Sequence, residues 1–235
     1  MTQDKQAIVL CSGGLDSVVT SFYVKNTLKY KDITLIFFNY NQKSLKQEQK
    51  FSKLCAKSIG GKFLEINVNE LGDLSNSLIN QIGKITKLKR KDLKNTAKES
   101  EKYYVPCRNT LFLVYALAVA ESLYQKNKRT SDIFVGFKCE GKESYPDTTK
   151  NFVLQMNKLS KIACIKPFSI FAPLITKDKE DIVQLGSELG VDFTKTFSCY
   201  ASKKNKHCGI CLACMLRKEG FYWANINDPT EYHKT

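Results

Sequence analysis

The chain has 235 residues, 43% of them hydrophobic. That is enough for one sizeable α/β domain, with or without a small appendage, and it excludes global disorder. The net charge of +14 is carried almost wholly by lysine, with arginine only at positions 90, 108, 129 and 217. Arginine is the residue that forks onto phosphate, so the charge reads as a Lys-, Asn- and Ile-rich composition and not as a nucleic-acid surface.

The predicted elements run as follows. Ala7–Cys11 is an apolar strand, and Asp16–Leu28 carries Val19, Phe22 and Tyr23 at helical spacing. Ile33–Tyr40 is a continuous β-rich run. Leu45–Ile59 is a helix with Phe51, Leu54, Cys55 and Ile59 inward, closed by Gly60-Gly61 as a C-cap. Lys62–Val68 is a third strand. Lys84–Lys102 holds eight basic and three acidic residues and reads either as a solvated connection or polar helix, or as a lid over an anionic substrate. Arg108–Tyr124 is a helix apolar on most faces and expected to be buried. Asp132–Phe137 is a fourth strand, and Asp147–Ile162 and Lys177–Leu189 are further helices, the last ended by Gly190. Strands alternating with helices imply βαβ units. The expected fold is therefore α/β, a Rossmann-like doubly wound, mainly parallel sheet that binds its ligand at the carboxyl ends of the strands.

The first six residues lack the basic-then-apolar layout of a secretory signal. The longest apolar stretch, Leu111 to Ala120, is too short to span a bilayer. A soluble, cytoplasmic protein without a membrane partner is expected.

The first strand stops at Ser12-Gly13-Gly14-Leu15-Asp16-Ser17 and feeds a helix. A strand that breaks into a Gly-Gly turn before a helix makes a nest of backbone N–H groups at the positive end of the helix dipole, which suits nucleotide phosphates. The loop lacks the spacing and the lysine of a Walker A motif. Ser12 and Ser17 can bond phosphate oxygens, the glycines let the backbone approach, and Asp16 either faces Mg²⁺ or caps the helix.

Of nine cysteines, Cys199, Cys208, Cys211 and Cys214 lie close together. In a reducing compartment such a cluster points to metal, not to disulfides. Four thiolates suit one structural Zn²⁺ per chain, with Lys203, Lys204 and Lys206 offsetting charge and His207 outside the ligand set; an iron–sulfur cluster is the alternative. The other five cysteines read as small buried hydrophobes.

The Ser12–Ser17 loop resembles the S-G-G-x-D-S pyrophosphate loop of the PP-loop ATP pyrophosphatases. With the cysteine array it makes nearly the whole chain similar to the 7-cyano-7-deazaguanine synthase family. Val105-Pro106-Cys107-Arg108-Asn109, Ser144-Tyr145-Pro146-Asp147, Ala172-Pro173-Leu174 followed by Lys179, and Cys208-Gly209-Ile210-Cys211-x-x-Cys214-x-x-Arg217 carry the likeness. The resemblance implies a PP-loop domain over 1–195 and a zinc-binding segment over 196–235. It implies ATP-dependent conversion of 7-carboxy-7-deazaguanine and ammonia to the nitrile, through adenylated acid and amide, with Mg²⁺ on the nucleotide and a homodimeric state. It places ATP on Leu10, Cys11, Ser12, Gly13, Gly14, Leu15, Asp16, Ser17, Val18, Val19 and Thr20. Catalysis falls to Ser12, Asp16, Ser17, Arg108 and Lys179, and the substrate to Tyr40, Gln42, Arg108, Asn109, Tyr145 and Asp147, the last equally a candidate N-cap of the next helix. Other acceptors remain open, including tRNA thiolation and protein, DNA-modification or defence pathways; nucleic-acid binding without catalysis is the rival class. Four stretches depart from the family's usual pattern. Cys107 stands for Gly or Ala, Asn39-Tyr40-Asn41-Gln42 for an Asp-Tyr-Gly-Gln-like segment, Thr148-Thr149 for Cys-Arg, and Lys142-Glu143 for Tyr/Arg-Ser.

Overall fold

A computed structural model describes residues 6–138, 145–202 and 206–233. Five parallel strands form one sheet in the order β3-β2-β1-β4-β5: β1 Gln6–Leu10, β2 Asp32–Asn39, β3 Lys62–Asn67, β4 Ser131–Val135 and β5 Ile170–Phe171. The three central strands are continuous apolar runs because both of their faces are covered. Alternate residues serve opposite layers: Ala7, Val9 and Cys11 point to one core, and Ile8 to the other.

On the first face lie α1 Leu15–Asn26, α2 Leu45–Ile59, α7 Lys179–Glu188 and α8 Leu212–Trp223. They supply Val19, Cys55, Ile182 and Phe221 to that core. On the second lie α5 Arg108–Asn127 and α6 Lys150–Ala163, with Leu113, Leu117 and Met156. Two short helices, α3 Asn69–Asp73 and α4 Ala97–Glu101, belong to the long connection after β3.

Several expectations shift. α5 buries Asn109, Leu113, Ala116, Leu117 and Ala120 but leaves Val114 43% exposed, because an outer-layer helix has only one face against the sheet. The helix expected from Asp147 begins at Lys150. Pro146–Thr148 forms a separate 3₁₀ turn in which Asp147 departs from helical dihedrals, and Thr149 is the N-cap, its hydroxyl accepting from the Phe152 N–H at 3.1 Å. Gly60 closes α2 in the left-handed conformation, as its position suggested. Cys11 and Cys55 are buried and Cys164 is half-buried, but Cys107 is exposed. Among the described residues no helix is long and apolar enough to cross a membrane.

Candidate active site

The strand order reverses between β1 and β4, so the carboxyl end of β1 sits at the switch point of the sheet. The Ser12–Ser17 loop leaves β1 there. Gly13 takes φ +77°, and a Cβ on it would lie 2.8 Å from both Phe51 Cβ and the Ser52 backbone nitrogen. Only glycine satisfies both the dihedral and the close approach to α2. Ser52 Oγ donates to the Cys11 carbonyl at 2.8 Å, and the Phe197 N–H donates to the Gly13 carbonyl at 2.8 Å. Inside the loop, the Ser17 hydroxyl donates to the Gly14 carbonyl at 3.0 Å, and Ser12 Oγ lies 3.4 Å from Ser17 Oγ. α1 begins with Gly14 as N-cap, which has no side chain to bond the first-turn amides. The loop therefore presents two hydroxyls and open N–H groups at a helix N-terminus, an anion-binding arrangement.

Across from the loop, Lys179 is the first residue of α7, seated by the Asp178–Asp181 capping box. Its Nζ donates to both oxygens of Asp16 at 2.8 Å, with only 14% of the side chain exposed. Asp16 is thus held by an ammonium and neither caps α1 nor stands as a free carboxylate. α8 passes behind Lys179 at Gly220, where a Cβ would lie 2.3 Å from Lys179 Cγ.

Loop and lysine share a cavity of about 320 Å³ with Tyr40, Glu48, Arg108, Tyr145 and Tyr200. Phe38 and Phe112 also line it, and their rings stack at 3.9 Å and 4°. The Arg108 guanidinium lies 6.0 Å from the Tyr40 ring centroid. Burial pushes the Tyr40 phenol up to about 12, with Arg108 opposing. Tyr145 stacks on Tyr104 at 5.6 Å and donates its hydroxyl to the Ser100 carbonyl at 2.8 Å. The cavity therefore joins an anion-binding end to an aromatic, arginine-bearing wall, suited to a nucleotide and a flat heterocycle.

Other sequence candidates are placed differently. Leu10, Cys11 and Leu15 line the cavity with the loop, whereas Val18, Val19 and Thr20 are buried in α1 outside its lining. Gln42 is 3% exposed and also outside the lining. Its Oε1 accepts from the Tyr40 N–H at 2.9 Å, and its Nε2 donates to the Phe38 carbonyl and to Glu48, both at 3.0 Å. It braces the wall from behind. Asn109 lines the cavity. Its backbone N–H and its side-chain amide both donate to Asp147, at 3.2 and 3.3 Å. Asp147 therefore secures the start of α5 and is not the N-cap of α6.

Glu48, Tyr200, Phe38 and Phe112 were not singled out from the sequence. Glu48 lies in a polar run of α2, and Tyr200 follows Cys199 directly, where the cysteine spacing dominates the pattern. Lys84–Lys102 packs along the C-terminal segment and reaches the cavity. The Leu88 N–H reaches the Ile210 carbonyl at 3.4 Å, Arg90 pairs with Glu219 at 3.0 Å, and Ser100 lines the cavity.

At the other end of the C-terminal segment, the sulfurs of Cys199, Cys208, Cys211 and Cys214 all lie within 4.8 Å of one another. Cys208 and Cys214 are 3.8 Å apart, the edge of a tetrahedron with metal–sulfur bonds of about 2.3 Å. The N–H groups of Ala201, Ser202 and Cys208 converge on Cys199 Sγ at 3.3–3.4 Å, and the Cys211 N–H donates to Cys208 Sγ at 3.3 Å. Such donors favour thiolates ready for a metal. His207 stands outside this set: its Nε2 accepts from the Ser198 N–H at 3.0 Å. Burial, aided by Arg217, lowers its pKa to about 4, keeping it neutral. Lys206 pairs with Glu231 at 3.0 Å, while Lys203, Lys204, Ser144, Lys142 and Glu143 lie outside the described residues.

The profile of the family described as "Queuosine biosynthesis protein QueC" matches residues 6–225. The chain belongs to that family. It is 38% identical over 233 residues to a 7-cyano-7-deazaguanine synthase of Methanosphaera stadtmanae, covering 97% of this chain and 99% of that one. It is 35% identical over 233 residues to another of the same name from Methanobrevibacter smithii, covering 98% and 99%. Among solved structures, the U34-tRNA thiolase NcsA from Methanococcus maripaludis with its 4Fe-4S cluster aligns with a TM-score of 0.46 and 13% identity, over 95% of this chain and 66% of that one. Membership in the QueC family makes the chain an ATP-using enzyme of queuosine biosynthesis with a small-molecule substrate.

Proposed function

We propose that this QueC-family chain converts 7-carboxy-7-deazaguanine, ammonia and ATP into 7-cyano-7-deazaguanine, AMP and pyrophosphate. The observation that carries the proposal is the single cavity joining the Ser12–Ser17 loop and Lys179 to Arg108 and the tyrosine wall. In the first stage a substrate carboxylate oxygen attacks the α-phosphorus of ATP and pyrophosphate leaves. Ammonia then adds to the acyl carbon, AMP departs and the amide remains. In the second stage the amide oxygen attacks a second ATP; two protons leave nitrogen, the C–O bond to AMP breaks and the nitrile forms. Adenylation is needed because neither a carboxylate nor an amide oxygen is a competent leaving group.

In this scheme Ser12, Ser17 and the first-turn amides of α1 bind the departing pyrophosphate. Asp16 aims Lys179 at the phosphates, and Arg108 faces the carboxylate or the α-phosphate. Tyr40 and Tyr145 flank the deazaguanine ring, and Asn109, fixed by Asp147, presents its amide to the ring's edge. Among the described residues, the cysteines are the group of three or more potential ligands that could hold a metal. Mg²⁺ enters with the nucleotide phosphates, to which it needs at most one or two carboxylates in addition. The four-sulfur site takes one Zn²⁺, which holds the C-terminal segment and stays out of the chemistry because all four positions are filled. The compact sulfur spacing favours one ion over an iron–sulfur cluster, whose thiolates sit on separate irons. The division into a PP-loop domain over 1–195 and a metal-binding segment over 196–235, and a homodimeric state readable by light scattering, belong to the same proposal.

Purified enzyme with ATP, Mg²⁺, ammonium and the deazaguanine acid should yield AMP and a nitrile seen by mass spectrometry. Release of ADP, or absence of the nitrile, would overturn the assignment.

A further inference from the structure

The proposed chemistry removes three protons from one nitrogen: one as ammonia becomes the amide, and two as the amide becomes the nitrile. Some group in the cavity has to receive them. No histidine lines it among the described residues, and its lining basic residues, Lys138, Lys179, Arg108 and Arg217, are donors without an acceptor site. Among the described residues two carboxylates line it, Asp16 and Glu48. Both oxygens of Asp16 already face the Lys179 ammonium at 2.8 Å.

Glu48 is different. Its Oε1 accepts from the Ser44 hydroxyl at 2.5 Å and its Oε2 from Gln42 Nε2 at 3.0 Å. Each oxygen keeps a lone pair after these bonds. Gln42 is itself immobilised by the Tyr40 N–H and the Phe38 carbonyl, so the carboxylate is oriented from behind by neutral donors. We propose that Glu48 is the base that accepts protons from the substrate nitrogen, above all in the conversion of amide to nitrile; the inference rests on the proposed function. The step balances. The N–H electron pair becomes the new C–N π bond, the C–O pair leaves with AMP, and the proton passes to the Glu48 carboxylate and then to solvent.

Burial raises the Glu48 carboxyl above its ordinary range, while Ser44, Gln42 and the charge of Arg108 restrain the rise. A base raised toward the working pH is better matched to proton abstraction. The other titratable group facing it is Tyr40, itself held protonated by burial. The ionised form of Glu48 is the active one, so the rate should rise with pH through its carboxyl and then level off.

The test supplies the deazaguanine amide and ATP directly and follows nitrile and AMP across pH. Glu48→Gln keeps the shape and can still bond Ser44 and Gln42. It should lower kcat for amide to nitrile by about 10²–10⁴-fold, abolish the acid limb and leave the ATP Kd unchanged. When started from the acid with excess ammonia it should accumulate amide. Glu48→Asp should keep the acid limb at reduced kcat. Wild-type kcat with an unchanged acid limb in Glu48→Gln, or loss of the limb in Glu48→Asp, would overturn the inference while leaving the proposed function standing. If the wild-type protein makes no nitrile from either substrate, the proposed function falls and this inference with it.

Discussion

Gly220 is predicted to govern activity although it lies outside the lining of the cavity. A methyl group there would sit 2.3 Å from Lys179 Cγ and 3.2 Å from the Lys179 carbonyl oxygen. Carbon atoms pack at about 3.5–4.0 Å, so Cγ must retreat by about 1 Å or more. The backbone of Lys179 has little freedom to follow, because the Asp178–Asp181 capping box fixes the start of α7. The side chain must therefore swing, drawing Nζ away from the two Asp16 oxygens it holds at 2.8 Å. For stability, two effects oppose. Ala in place of Gly within a helix gains about 0.5–1 kcal/mol, and overpacking costs about 1–3 kcal/mol. The net is a loss of about 0–2.5 kcal/mol, which at about 2–4 °C per kcal/mol lowers Tm by no more than about 10 °C. For catalysis, a misplacement of about 1 Å in a positioning group can cost about 10²-fold. Gly220→Ala should thus remain folded yet lose about two orders of magnitude in kcat/KM for AMP release. In a Lys179→Ala background the same substitution should cost little further activity, since Cγ and Nζ are gone and only the 3.1 Å and 3.2 Å contacts to Cβ and the carbonyl oxygen of residue 179 remain. Gly220→Ala with activity within threefold of wild type, or an equal loss in both backgrounds, would refute the reasoning.

Other perturbations separate structure from chemistry. Cys107 sits at φ +52° as N-cap of α5, and a left-handed non-glycine costs about 1–2 kcal/mol; Cys107→Gly should raise the urea midpoint by the equivalent of up to about 1.5 kcal/mol once the entropy of glycine is subtracted, with activity unchanged. Arg217 is 1% exposed and reaches Thr196, Ser198, the Phe193 carbonyl and Asp228. Arg217→Ala strips a buried charge partner and should cost about 3–5 kcal/mol in chemical denaturation. Burial alone would raise the Asp228 carboxyl, but Arg217, Thr230 and Tyr232 hold it below its ordinary value of 3.8. Its stabilisation is therefore complete above pH 4 and lost as pH falls through the folded value, and Asp228→Asn should flatten the acid limb of stability below about pH 4. Metal analysis should find one zinc per chain. Cys211→Ser should lose it and expose the C-terminal segment to proteolysis, whereas retention of zinc would contradict a four-sulfur site.

What could be read from the sequence divides along physical lines. β1, β2 and β4 announced themselves because a parallel strand covered on both faces must be apolar throughout. The loop did so because its glycines and hydroxyls stand between such a strand and a helix. β5 escaped because two residues, Ile170 and Phe171, carry no periodicity. α8 is masked because its apolar pattern, Leu212, Leu216 and Phe221, begins inside the cysteine array, where metal-ligand spacing and helical spacing overlap. Glu48 was hidden in a run of polar residues, where only the fold shows which one turns inward.

The departures from the family pattern are settled by dihedral angles more than by chemistry. Cys107 and Asn41 stand where the pattern favours glycine, and both adopt positive φ, 52° and 58°. Asn is among the residues that tolerate this region, and Asn41, whose side chain donates to Asp73 at 3.2 Å, is not among the residues that line the cavity. Asn39 turns to Asn67 at 2.9 Å and also lies outside the lining. Of the described departures only Thr148 borders the cavity, and its hydroxyl is spent on the Tyr145 carbonyl at 2.9 Å. At positions 41 and 107 the substitutions therefore keep a backbone course that glycine would follow at lower cost, and both fall outside the cavity wall of Tyr40, Arg108, Tyr145 and Tyr200. A change of acceptor would need a change in that wall, and among the described departures Thr148 is the one that borders the cavity, with its hydroxyl held by the Tyr145 carbonyl.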